Sequence, residues 1–230
     1  MKEYFIKEID EVKTDLIKMA SLVDEQIEKV FSALEYGNIS FCQFIKIKDR
    51  EVDAYNELLQ TKCENLLARF QPVASDLRFV ISTIMINNQL ERCGDLAVNI
   101  SNRIKETSSF RNLIMDSGIV EMSRHARIMI SKSIDSFIHN DIEMAKRVIS
   151  NDIAVDRLNK SLFDFFVSKM QEDIDLVEPS AHLLILVRNI ERLADHATNI
   201  AEDVLFQVEA KVVSNRRSLK TEEVLSEVVN

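Results

Sequence analysis

Apolar residues recur at steps of three and four along almost the whole chain, the spacing of a helix that buries one stripe. The stripe Ile81, Ile84, Asn88, Glu91, Asp95, Val98, Asn102 shows the period and also shows polar residues standing where apolar ones are due. The pattern is seldom interrupted. There are three glycines (Gly37, Gly94, Gly118) and two prolines (Pro72, Pro179), far fewer turn residues than a sheet protein needs. The spacing therefore predicts an all-α chain of six long helices. They run from about Tyr4 to Glu35, Ser40 to Phe70, Ser75 or Asp76 as a cap to Glu106, Ile119 to His139, Asp141 to Glu172, and Pro179 to Glu209. Gly37 supplies a left-handed cap for the first, and Pro179 suits the first turn of the last.

The six helices read as one three-helix unit written twice. EYGNI (Glu35 to Ile39) matches IHNDI (Ile138 to Ile142), and KDREVD (Lys48 to Asp53) matches NDIAVD (Asn151 to Asp156). LERCGDLAVNI (Leu90 to Ile100) recurs as IERLADHATNI (Ile190 to Ile200). A period of about a hundred residues is too long for a solenoid and fits two tandem, pseudo-symmetric three-helix bundles. The expected division is 1–108 for the first bundle and 116–209 for the second. The segment Ser108 to Ser117 is a polar connector, and 210–230 is a polar tail, frayed or disordered.

The duplicated motif carries the candidate chemistry. Glu91 and Asp95 share one helix face, as do Glu191 and Asp195. The second helix of each unit adds Asp49 with Asp53, or Asp152 with Asp156. Four carboxylates converging between antiparallel helices repel one another and resist ionising together. A divalent or trivalent cation removes the conflict, and an all-oxygen donor set suits Mg, Mn, Ca, Fe or Zn. Di-iron bundles add His in Glu-x-x-His, which is missing here, so a structural or sensing metal is expected rather than oxygen activation. Asn99 and Asn199, one turn on, support the ligands. The competing reading is a purely structural acidic face in which Arg92, Arg192, Lys48 or Arg50 pairs with carboxylates of the neighbouring helix. His196, whose counterpart is Leu96, is expected at the surface.

Composition narrows the classes. A net charge of −9 with interspersed signs disfavours nucleic acid, and Arg216, Arg217 and Lys220 do not change that. Cys42, Cys63 and Cys93 lack paired ligand spacing and read as free thiols of a reducing compartment. MKEYFIKEIDEVKTDLIKM has no apolar signal core, and the longest apolar run, Leu183 to Val187, is too short to span a bilayer. A cytoplasmic protein is expected. Three glycines cannot build a phosphate loop, and neither G-x-S-x-G nor a Cys-His arrangement is present. Phe163, Phe165 and Phe166, and the methionines Met85, Met115, Met122, Met129 and Met144, read as packing.

FQPVASDLRFV (Phe70 to Val80), the two Glu-Arg-x-(Gly/Ala)-Asp-x-x-x-Asn-Ile motifs and the upstream Asp-x-x-x-Asp pairs together resemble the PhoU family. The resemblance spans about residues 5 to 208. Ala194 stands where the second motif usually has Gly, and the second unit has EPSAHLLIL (Glu178 to Leu186) in place of the QP-x-A-S-D-L-R segment. The resemblance implies two fused three-helix bundles and motifs able to hold multinuclear metal clusters, iron or zinc foremost. The ligands would be Asp49, Asp53, Glu91, Asp95, Asp152, Asp156, Glu191 and Asp195. It also implies a non-enzymatic negative regulator of phosphate uptake and phosphate-starvation signalling. Its partners would be the ATPase subunit of a phosphate ABC transporter and a membrane sensor histidine kinase, with the membrane reached only through them. A homodimer is compatible with the repeated faces. The rival from another class is a metal-dependent enzyme built on the carboxylate-rich bundle.

Overall fold

The chain, described over residues 2–210 by a computed structural model, is helical throughout its regular elements. The helices are α1 (Lys2–Tyr36), α2 (Phe41–Phe70), α3 (Ala74–Glu106), α4 (Arg111–Ser117), α5 (Ile119–His139), α6 (Ile142–Glu172) and α7 (Val177–Glu209), with a 3-10 turn at Ile174–Leu176 before α7. The six long helices match the sequence pattern, and the tail beyond residue 210 lies outside the described residues. Helix α4 falls in the segment read as a polar connector.

The ends of the helices show which local signals operate. Gly37, at φ 74°, stops α1, and its amide donates to the Ala33 carbonyl at 2.9 Å. The last carbonyls of α1, at Leu34 and Glu35, accept from the Arg111 guanidinium of α4. The short helix thus caps the first long one from across the chain, satisfying acceptors that a helix end leaves open. Asp141 caps α6 by accepting from the Met144 amide at 2.9 Å. Ser75 and Asp76 do not cap α3. That helix starts at Ala74, after Val73 and two or three residues earlier than those caps would start it, and no side chain caps it. The turn into it places Gln71 and Ala74 at φ 48° and 51°, left-handed positions that cost non-glycine residues on the order of 1 kcal/mol each.

Helices α1, α2 and α3 pack on one another, as do α5, α6 and α7. Helix α3 also packs along α7, and α1 along α5. The two bundles therefore share one contiguous apolar core, running from Val12 and Leu16 through Leu90 and Ile100 to Leu183 and Leu205. The phenylalanine cluster divides by depth. Phe166 is fully buried, Phe165 meets it edge-on at 5.3 Å between ring centroids, and Phe163 is 56% exposed. Phe166→Ala is expected to cost about 3–5 kcal/mol of unfolding free energy, while Phe163→Ala stays within about 0.5 kcal/mol. Urea denaturation of the two variants checks this; equal losses would mean the packing is not as described.

Candidate functional site: two acidic faces beside an antiparallel seam

Polar pairs fix how α3 lies on α7. The Arg78 Nε donates to the Gln207 carbonyl, and the Ser82 hydroxyl to the Asp203 carbonyl, both at 3.4 Å. Gln89 Oε1 lies 2.7 Å from His196 Nδ1 and accepts from Asn199 Nδ2 at 3.2 Å. Arg103 Nη1 lies 2.9 Å from His182 Nδ1. Each step forward on α3 is matched by an equal step back on α7, so the helices run antiparallel in one unbroken register. That register sets Arg92 and Cys93 opposite Leu193 and Arg192. The two copies of the duplicated motif lie side by side across a local two-fold.

An acidic face flanks this seam in each half. In the first, Asp49 and Asp53 of α2 and Glu91 and Asp95 of α3 act on one another electrostatically. Burial, then the charge of Asp53, holds the Asp49 carboxyl above its ordinary range, with Asp95 adding and the Gln26 amide opposing. Burial, then Asp95, does the same for Glu91, against the pull of Arg92. In the second half, burial raises Glu191 while Arg188 opposes and Asp156 and Asp152 add. Asp152 is buried, at 3% exposure, whereas Asp53 and Asp195 face solvent. Each face is thus graded, with inner carboxyls in low dielectric and outer ones in water.

The first face is built close to the helix backbone. A Cβ on Gly94 would lie 3.1 Å from Asp49 Oδ1 and 3.3 Å from Gln26 Oε1. Glycine inside a helix costs about 1 kcal/mol relative to alanine, and here it leaves room for the carboxylate and its amide neighbour. Gln26 Nε2 donates to the Ile45 carbonyl at 3.1 Å and to Asp49 Oδ1 at 3.5 Å. By the repeat, Met129 takes the place of Gln26 in the second half, and Ala194 that of Gly94.

Part of the arginine alternative is met, by pairs within single helices. Arg92 lies 3.3 Å from Glu91 and 3.5 Å from Asp95, Arg188 pairs with Glu191, and Lys48 pairs with Glu51 at 3.1 Å. Arg92 and Arg188 are more than half exposed, and such pairs contribute at most about 1 kcal/mol. The donor chemistry suits a hard cation: oxygen ligands only, half-buried, and repelling one another. Among the described residues, no three Asp, Glu, His or Cys side chains already converge on a point that would hold an ion. The eight carboxylates share faces; they are not drawn into a closed cage.

The sequence pattern of the PhoU domain matches this chain twice, over residues 16–104 and 119–204, so that each match carries one acidic face. The chain belongs to the PhoU family. A relative from Clostridium acetobutylicum, described as a phosphate-specific transport system accessory protein PhoU homolog, is 30% identical over 213 residues, covering 92% of this chain and 97% of its own. The crystal structure of PhoU from Pseudomonas aeruginosa superposes with a TM-score of 0.84 at 28% identity, covering 90% of this chain and all of that one. The phosphate transport system regulatory protein PhoU from Streptococcus pneumoniae shares the fold, with a TM-score of 0.79 at 22% identity over 91% of this chain and 99% of its own. PhoU proteins are accessory and regulatory proteins of phosphate transport systems, not enzymes. Among the described residues, no helix is long and apolar enough to cross a membrane.

The structure also brings in residues that the motif reading passed over. His196 sits in the seam rather than at the free surface. Burial, with Arg192 and Arg92 nearby, pushes its pKa down to about 4, so it is neutral at physiological pH. Asp203 is 5% exposed, and burial, then the charge of Glu202, pushes its carboxyl up to about 7. Glu202 itself is pushed up to about 6 by burial and Asp152. The available signal was the setting of Asp203 among Ile200, Ala201, Val204 and Leu205, all of them buried.

A carboxyl whose folded pKa is raised binds more protons in the native than in the unfolded state. Its contribution therefore lowers stability as pH rises from about 4, near its unfolded value, to about 7. Asp203→Asn should remove about 2–3 kcal/mol of the stability difference between pH 5 and pH 8. Chemical denaturation of both proteins at the two pH values measures this; an unchanged difference would show that Asp203 ionises freely in the native state.

Proposed function

We propose that this chain is a cytoplasmic negative regulator of phosphate uptake and phosphate-starvation signalling. It acts as an adaptor between the ATPase subunit of a phosphate ABC transporter and a membrane sensor histidine kinase. The observation that carries the reading is the PhoU pattern matched over both halves, each with its acidic face intact. The names of the relatives, accessory and regulatory proteins of phosphate transport, support the same class. Around each face stand carboxylates, arginines and amides, a composition suited to recognition and ion binding. Affinity capture with the purified ATPase subunit and with the kinase cytoplasmic region, at high and low phosphate, tests the reading. Binding to at least one partner that changes with phosphate is expected; no binding to either in any condition would refute it.

The acidic faces are proposed to take divalent or trivalent cations, iron or zinc foremost, through Asp49, Asp53, Glu91 and Asp95 in one half and Asp152, Asp156, Glu191 and Asp195 in the other. The raised carboxyls of Asp49, Glu91 and Glu191 support this, because a cation would relieve the repulsion and desolvation that raise them. Such an ion would supply fixed positive charge and hold α2 to α3 and α6 to α7. Ion binding to the native state stabilises it by about 2.7 kcal/mol at a free concentration about a hundred times the dissociation constant. Chelation of protein purified without chelator should lower Tm, and Asp195→Asn should lose part of the bound metal by elemental analysis. An identical Tm with and without chelator would rule the site out.

A further inference from the structure

The local two-fold supplies an internal control, because each position on the seam has a counterpart in the other half. Between α2, α3 and α7 lies a crevice of about 490 Å³ lined by Lys46, Asn99, Asn102, Arg103, Lys105 and Asn189. Its counterparts by the repeat are Ile149, Asn199, Glu202, Asp203, Leu205 and Gln89. Three cations in one half thus face an isoleucine, an aspartate and a leucine in the other. The fold is satisfied without positive charge at these places, so packing does not account for it. The chain as a whole carries −9, which makes a local cationic cluster more conspicuous.

The buried amide is the second observation. Gln89, in the second-half counterpart, has its Oε1 engaged by His196 and Asn199. Asn189 is only 9% exposed, lines the crevice, and makes no side-chain hydrogen bond among the described residues. Its amide opens onto the crevice, where a ligand can reach it. Lys46 and Lys105 also lack ion-pair partners among the described residues, and both act on the thiol of Cys42, which places them on one side of the crevice. One carboxylate, Glu106, also lines the crevice and is engaged: its Oε2 lies 2.6 Å from Arg103 Nη1 and 3.0 Å from His182 Nδ1.

We propose that this crevice binds a small multivalent oxyanion of the phosphate type, held by Lys46, Arg103 and Lys105 with the Asn189 amide as a donor at its floor. Charge-assisted donors converging from two sides, plus amides, are the chemistry that recognises tetrahedral oxyanions. The volume holds such an ion with several waters, each needing about 30 Å³. The proposal does not rest on the metal or partner readings, since none of the eight face carboxylates lines the crevice.

Isothermal titration of the full chain with inorganic phosphate, and in parallel with phosphoserine, tests it, using sodium chloride at matched ionic strength as control. Saturable binding of at least one is expected, and the stronger of the two tells a free ion from a phosphate ester. Lys105→Ala, at an exposed position that leaves folding intact, should weaken binding about tenfold or more, as should Asn189→Leu. Glu202→Gln, at the counterpart of Asn102, should leave it unchanged. Thermal melts confirm that each variant is folded. Absence of saturation up to about 10 mM of either probe, or binding indifferent to both Lys46→Ala and Lys105→Ala, would overturn the proposal.

Discussion

The antiparallel seam between α3 and α7 is the constraint on which the rest of the molecule depends. It joins two three-helix units into a single core, and apolar burial along it is the main source of cohesion. Burial alone does not choose a register, since an apolar helix surface tolerates sliding by a turn. The polar pairs make that choice. Ser82 with the Asp203 carbonyl, Gln89 with His196 and Asn199, and Arg103 with His182 are each met in one alignment only. A slip would leave several half-buried polar groups without partners, and each such loss costs more than a formed bond gains.

Once that register is set, the acidic faces follow. Each lies where the outer helix of a unit, α2 or α6, crosses the seam helix of the same unit. Their inner carboxyls are desolvated by the core that the seam creates, and their outer ones reach water. The arginines neighbouring Glu91 and Glu191 neutralise part of the charge along their own helices and leave the cross-helix repulsion in place. A face of that kind holds negative potential at a fixed position on a rigid support. That is an economical way to present a recognition or ion-binding surface without mobile loops.

Much of this was legible in the sequence, for identifiable reasons. Scarce glycine and proline and a sustained helical period located the long helices, and the duplicated Glu-Arg-x-x-Asp motif located the repeat. What escaped depended on contacts between distant segments. Helix α4 is too short to show a period, and it is held by the burial of Ile114 and by Arg111 reaching the end of α1. Ser75 and Asp76 look like caps, but the turn through Gln71 and Ala74 starts the helix before them. His196 reads as a surface residue and Asp203 belongs to no motif, yet both are covered by α3 from the other half. Which of two acidic residues on one helix is desolvated depends on that neighbour, which a local pattern does not specify.

The replacement of Gly94 and Gln26 by Ala194 and Met129 has a consequence for symmetry. In a two-fold homodimer each surface meets itself, so any residue change appears on both sides of the axis. Here the axis runs through a single covalent chain, and its two halves are free to differ. Gln89 bonds His196 and Asn199 where Asn189 leaves an amide open, and Arg103 has Asp203 as its counterpart in the repeat. A single chain thus turns what would be two identical faces into a polarised molecule with a distinguishable front and back.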